Sequence, residues 1–397
     1  MFSSFFRPEK EKTSLAVDIG TEAVKVIAFE KKDGKVILLG RSLQYLDPFG
    51  VWDHGGSFES GTLQKYVGQA IKEAQTMAGR EAKKAALALP PYILRARVQT
   101  VSVERERHHA HISGKEEKSL LRKISEDAKA LIARDVAQDY DAAPPDVFFS
   151  GIKIVAITID GYRVSSLHHF NGKKLEFTCL AFFSISAQSK KTKFDAALSG
   201  LAKQLKMPAR SLHAFHPAHY LNLFAQYLQD GIYVDIGGKC TQVFLLQNHR
   251  LCYASEFGTG ATPFSDIIMK DMGFSRETAR SFLEQYAAQS LSPEVASRIK
   301  QKFAPLARDW FSEFKNNLRR GTETFSPSIF IFGGGSLVPE IKEALDDGEW
   351  DDLVFVGSPR TTVLYPKDLP RRPEDSKNCA SSPQDVAPVF LCYAQNS

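Results

Sequence analysis

The chain has 397 residues, 43% of them hydrophobic and 24% charged, with a net charge of +5. That length and apolar content support two or more units around a sizeable core, and so mild a charge gives no ground for nucleic acid as a partner. Its five cysteines, Cys179, Cys240, Cys252, Cys379 and Cys392, contain no Cys-x-x-Cys pair, and no apolar run reaches membrane-span length, so zinc centres, disulfide frameworks and spanning helices are not expected and a reducing cytoplasm is the expected compartment.

In chain order, Met1–Pro8 lacks the apolar stretch of a secretory leader. Ser14–Glu30 alternates as a strand, a turn at Gly20-Thr21 and a second strand, Val24–Phe29. Asp33-Gly34 is a hairpin turn into a third strand, Lys35–Arg41. Gly61–Gly79 carries Leu63, Val67, Ala70, Ile71 and Ala74 at helical spacing. Ala85–Leu89 is a short buried strand ahead of Pro90-Pro91. Arg95, Arg97, Arg105 and Arg107 alternate along one strand face, as on a solvated edge or one that meets an acidic partner. His108, His109 and His111 have no acidic or cysteine partner at ligand spacing and read as a solvated strand end.

Ser113–Gln138 is a charged amphipathic helix. Strands follow at Gly151–Asp160, Tyr162–His169 and Lys174–Ala181, with turns at Asp160-Gly161 and Asn171-Gly172. Residues 103–186 thus read as a small α+β insertion. Asp195–Leu205 is a helix that returns to the first core. The β-β-β-α-β order then repeats in Gly231–Leu246, His249–Ser255, a helical stretch and Ile329–Phe332. Pro359–Gln384 reads as an exposed connection, and Val386–Ala394 as a short apolar element. The expected division is 1–102 with 187–230 as a first half, 103–186 inserted, 231–257 with 326–397 as a second half, and 258–325 as a helical subdomain.

Two of the strands end in the same tripeptide, Asp18-Ile19-Gly20 and Asp235-Ile236-Gly237, and Ile329–Phe332 ends in Gly333-Gly334-Gly335. Glycine frees the backbone to approach a phosphate, and an aspartate at a strand tip can hold Mg²⁺ through water. Each turn alone reads more readily as an ordinary strand connection; the repetition across two halves is what points to nucleotide. Together the three resemble the two phosphate loops and the nucleotide loop of the actin/Hsp70/sugar-kinase ATPase superfamily. The insertion, with Asp160-Gly161-Tyr162-Arg163-Val164 and Gly172-Lys173-Lys174-Leu175-Glu176, is similar to that of the bacterial cell-division protein family FtsA. The late lysine of the first loop, Lys25, is closer to the related family PilM of type IV pilus assembly.

The resemblance implies an α/β actin-like ATPase fold of two RNase-H-like halves closing on ATP and Mg²⁺. Asp18, Gly20, Thr21 and Lys25 would form one phosphate loop; Asp235, Gly237, Gly238 and Thr241 the other; Asp18 and Asp235 would hold Mg²⁺ through water. Gly333, Gly334, Gly335 and Ser336 would line base and ribose, and Gly258, Thr259 and Gly260 would close from the hinge. The chain departs from the family where hydrolysing members place a water-orienting Glu before a proline: here His216 precedes Pro217. Histidine there would tend to pair with polyphosphate, or simply pack at a helix start. Lys239 could face phosphate or solvent. Ala279-Arg280 with Leu283 stands where the family contacts the nucleoside.

FtsA relatives carry a basic amphipathic membrane helix at the end, and none is legible before Ser397; Phe2, Phe5 and Phe6 with Arg7, Lys10 and Lys12 offer a marginal peripheral membrane contact or a frayed terminus. The implied role is self-assembly and partner recruitment with weak or no hydrolysis, at most a slow ATPase. The partner would be the tubulin-like division protein or, on the PilM-like alternative, pilus inner-membrane proteins, at the cytoplasmic face of the inner membrane. A sugar or acid kinase of the same fold is the alternative from another class. An acyl-dehydratase activator is disfavoured because its cluster-binding cysteines are missing.

Overall fold

A computed structural model describes residues 13–46, 60–91, 93–185, 199–203, 208 and 212–394. The amino-terminal Phe/Arg/Lys cluster lies outside them, as does most of the helix expected over Asp195–Leu205, of which 199–203 is helical.

The first sheet contains β1 (Ser14–Ile19), β2 (Ala23–Lys32), β3 (Lys35–Tyr45), β4 (Lys84–Ala88) and β9 (Leu212–Phe215), in the order β3-β2-β1-β4-β9. Helix α1 (Ser60–Ala78) packs on β2 and β3 through its Leu63, Val67, Ala70 and Ala74 stripe. After helix α3 (Pro217–Phe224) the pattern recurs: β10 (Gly231–Ile236), β11 (Thr241–Gln247), β12 (Arg250–Phe257), β14 (Ser328–Phe332) and β16 (Arg360–Val363) are ordered β12-β11-β10-β14-β16. In both sheets an antiparallel meander is followed by a parallel strand beside the first. The central strands β1 and β10 are buried except at Asp18 and Asp235 near their ends, because they are covered on both faces.

The inserted unit is a sheet of β5 (Arg95–Glu104), β6 (Val147–Ile159), β7 (Tyr162–Val164) and β8 (Lys174–Ile185), ordered β5-β8-β6-β7, packed against helix α2 (Gly114–Asp139). β5 pairs with β8 along its whole length. A boundary at 103 would therefore cut through a strand, and the sheet begins at Arg95. Tyr162–His169 is strand only as far as Val164.

Between β12 and β14 lie helices α4 (Thr262–Met272), α5 (Arg276–Ala287) and α6 (Pro293–Leu318) and the short β13 (Thr324–Phe325), which pairs with β15 (Val354–Phe355). Helix α7 (Pro339–Asp346) follows β14. Helix α8 (Val386–Ala394) is buried on every side, as an all-apolar helix must be. Its Phe390 stacks on Tyr220 of α3, with ring centroids 5.2 Å apart. The Pro359–Gln384 stretch is less exposed than expected: Glu374 pairs with the edge strand β3 through Leu38 and Val36, and Cys379 and Ala380 are buried. Among the described residues no helix is long and apolar enough to cross a membrane.

Candidate functional site: two glycine turns facing across a cleft

The two Asp-Ile-Gly turns close identically. Gly20 N–H donates to Ala23 O at 2.9 Å, and Gly237 N–H donates to Cys240 O at 3.0 Å. Each is a strand folding straight back on itself, with glycine as the first residue of the turn. The turns then meet: Lys239 N–H of the second donates to Thr21 Oγ1 of the first at 3.0 Å. Glu22 lies against Gly238, where a Cβ would fall 2.3 Å from Glu22 Cγ. Glu22 also accepts from Thr262 Oγ1 at 2.7 Å.

Asp18 and Asp235 sit at equivalent strand ends, and one cation serves both. Lys25 Nζ donates to Asp18 Oδ2 at 2.7 Å. Burial opposes the ammonium charge, but Asp18 and then Asp235 outweigh it and hold Lys25 above its ordinary value. Burial pushes Asp235 up to about 7, with Asp18 adding to the shift and Lys25 working against it. Tyr220, whose hydroxyl lies buried behind both carboxylates, is raised well above its ordinary value by burial and by their charge.

The third turn completes the floor. Gly333 has φ +87°, and a Cβ there would stand 2.5 Å from Asp235 Oδ1 and 2.6 Å from Ile236 O. Only glycine fits, and it lets this turn press against the second carboxylate. Gly334 faces open space.

Beside these groups lies a cavity of about 140 Å³, which Asp18, Asp235 and Gly333 do not themselves line. Of the expected residues, Gly20, Thr21, Lys25, Gly237, Gly238, Gly334 and Gly335 line it. Several others are turned away. Thr241 is fully buried, its Oγ1 donating to Thr259 O and accepting from Trp310 Nε1. Ser336 donates to Gly333 O and braces the turn from inside. Gly260 packs its Cα against Gly237 O and Gly238 O, while Ala261 and Thr262 N–H groups donate to those same carbonyls at 2.9 Å. Thr259 Oγ1 donates to Glu313, and Gly258 faces open space. The Gly258–Gly260 segment therefore supports the second loop from behind and does not line the cavity.

His216 is also elsewhere. It is 2% exposed, its Nδ1 accepts from Ala218 N–H at 3.1 Å, and it caps α3. It lines a separate space of about 640 Å³ together with His213, His219 and Lys153. Burial drives its pKa down to about 3, so the ring is neutral and does not act as a phosphate-pairing cation.

Glu22, Tyr45, Arg276, Arg280 and Glu284 complete the cleft wall. The Arg280 guanidinium stacks 3.8 Å from the Tyr45 ring centroid, and Tyr45 Oη donates to Glu284 at 2.8 Å. Arg280 and Leu283, singled out in the sequence, lie with Arg276 and Ala287 on one face of α5, and that spacing is the signal that could have found the other two.

The donor set suits a nucleoside phosphate with a hydrated metal: two carboxylates, one lysine, glycine turns without side chains and a stacked cationic wall. No protein-family model matches the chain, and no curated protein matches it. Among solved structures it is similar to a PilM–PilN type IV pilus biogenesis complex, at 15% identity and a TM-score of 0.60, over 97% of this chain and 98% of that one. The chain has the actin-like ATPase fold. It is also similar to the ethanolamine utilization protein EutJ from Carboxydothermus hydrogenoformans, at 12% identity and a TM-score of 0.51, over 97% and 90%. At such identities the likeness carries the fold, and neither the FtsA-type character of the insertion nor a role in cell division follows from it.

Proposed function

We propose that this actin-like chain is a nucleotide-responsive scaffold, holding ATP and Mg²⁺ between its two glycine turns and using the opening of that cleft to govern assembly with a partner. The observation that carries the reading is the direct contact of the two turns, Thr21 Oγ1 with Lys239 N–H, beside the Lys25–Asp18 pair. A cavity of about 140 Å³ is small for a mononucleotide, since ligand sites run to several hundred cubic ångströms. Occupancy must part the turns, so the angle between halves reports the ligand. Lys25 would meet phosphate oxygens, Asp18 and Asp235 would orient the metal's water shell, and the Tyr45–Arg280 stack would receive the base. Bound Mg²⁺ would supply neutralisation of the phosphate charge.

Turnover would be slow or absent: the position expected to orient water holds a neutral, capping His216 turned to another cavity. The pilus or secretion-platform reading stands ahead of the division reading, because the PilM likeness spans nearly the whole chain, insertion included. A role at the cytoplasmic membrane face would then come through partners. The tubulin-like division partner rests on the insertion's sequence pattern alone.

The test is a calorimetric titration with ATP and Mg²⁺, followed by capture assays with pilus inner-membrane proteins and with the tubulin-like protein. Saturable, Mg²⁺-dependent binding with nucleotide-dependent capture of the pilus protein is expected. No nucleotide binding, or phosphorylation of a sugar or small acid by the intact chain, would overturn it.

A further inference from the structure

The insertion and the second half are joined by a buried ionic cluster. Glu256, near the end of β12, has a side chain only 4% exposed. Its Oε1 accepts from Arg95 Nη1 at 2.6 Å and from Tyr140 Oη; its Oε2 accepts from Arg97 Nη1 at 2.8 Å. Arg95 and Arg97 stand on β5, and Tyr140 ends α2, so all three partners belong to the inserted sheet and its helix. The Arg95 guanidinium also lies 4.1 Å from the Tyr140 ring centroid, and Arg97 Nη2 donates to Tyr140 Oη at 3.1 Å. From the other side, Asn317 of α6 donates to Ser255 Oγ at 3.0 Å, which steadies the same strand end. At the rim, Arg320 of the second half pairs with Asp139 of α2 at 2.7 Å.

Glu256 is also one short segment away from the cleft. It is opposed to Gln242 in the β11–β12 pairing, directly after the second glycine turn. Four residues on, Gly260, Ala261 and Thr262 clasp Gly237 and Gly238, and Thr262 reaches Glu22 of the first turn. A shift of the second turn therefore moves the segment that carries Glu256. Three partners at hydrogen-bond distance hold that carboxylate to the insertion.

We propose that Glu256 with Arg95, Arg97 and Tyr140 forms a latch through which the state of the nucleotide cleft is transmitted to the inserted unit. The inference rests on the nucleotide reading above and adds its route to the surface that would meet a partner. A buried carboxylate held by two guanidinium groups and a phenol has few alternative arrangements, so it transmits displacement where a solvated contact would absorb it.

The experiment is hydrogen–deuterium exchange on the full chain with and without ATP and Mg²⁺, alongside calorimetric affinity. In the native chain, nucleotide should change exchange both in Gly237–Thr262 and in β5 and the last turn of α2. The change at the insertion should fall within ordinary inter-site coupling, roughly 5- to 150-fold. In Glu256→Gln the response of Gly237–Thr262 should persist while that of β5 and α2 is lost. Tyr140→Phe, which keeps every charge, should give a partial loss and remains usable if Glu256→Gln fails to fold. An unaltered insertion response in these variants overturns the latch, as does a native chain that binds nucleotide with no response at the insertion. A native chain that binds no nucleotide overturns the nucleotide reading first and the latch with it, and calorimetry separates that case.

Discussion

Lys25 and Asp18 face each other directly across the β1–β2 pairing, and their side chains meet at 2.7 Å. In the second half the residue opposite Asp235 is Gln242, not a lysine. The two strand ends thus share one lysine, which bonds Asp18 directly; Asp235, with no such bond, is raised by burial against the pull of Lys25. That asymmetry suits an entering divalent cation, which would supply the missing positive charge.

ATP with Mg²⁺ should raise the melting temperature, since a ligand at about 100 times its Kd stabilises the folded state by roughly 2.7 kcal/mol. Asp18→Ala and Asp235→Ala should each remove most of that shift while leaving Mg²⁺-free nucleotide less affected. A thermal melt series checks this, and full shifts in both variants would refute the assignment of the loops.

Metal-dependent binding should weaken in mild acid. Asp235 titrates at about 7 in the fold against an ordinary 3.8. Below about 7 the carboxyl holds a proton that Mg²⁺ must displace, so affinity should fall by up to about tenfold per pH unit. For stability the sign is opposite. Between 3.8 and about 7 the native state binds the proton that the unfolded chain has lost, so Asp235 contributes less as pH rises across that window. Asp235→Asn should flatten both dependences, binding in titrations from about pH 6 to 8 and stability in melts from about pH 4 to 7.

His216 should matter for folding and not for turnover. His216→Ala removes the α3 cap and should cost about 0.5–2 kcal/mol from that alone. His216→Asn, which keeps a capping acceptor, should cost less. His216→Glu would bury a carboxylate beside Phe182 and Phe244 and should destabilise without creating hydrolysis. Because the ring titrates at about 3 in the fold and 6.5 ordinarily, stability is lost as pH falls through that interval. Denaturant melts of His216→Asn should show a shallower acid limb, and phosphate-release assays should show no gain for His216→Glu.

Gly333→Ala should damage the cleft more than Gly334→Ala. At Gly333 a side chain would need a left-handed backbone, costing about 1–3 kcal/mol, and its Cβ would strike Asp235 and Ile236. At Gly334 a Cβ meets nothing within 4 Å. Comparative melts and ATP titrations separate the two.

Much of this was legible beforehand because it is local. A strand that stops at glycine and turns back within three residues shows in spacing, and so did both glycine turns and the repeated strand order. The roles of Thr241 and Ser336 were not legible, because a hydroxyl next to a glycine turn can point into the cleft or behind it. Packing against Trp310 and the Gly333 carbonyl decided that. Arg95 and Arg97 read first as a solvated edge, with an acidic partner as the alternative. They lie 161 and 159 residues from Glu256, and nothing within a few residues of any of the three announces the cluster.

The sequence by itself determined most of the elements, their order and the glycine turns at the strand tips, since backbone turns and amphipathic periods are set by neighbours a few residues apart. The tertiary structure decided which charges are buried together, that His216 is a neutral cap, and that the two turns touch. A charge leaves water only when a partner from elsewhere in the chain compensates its desolvation, and that partner exists only once the halves and the insertion have closed on one another.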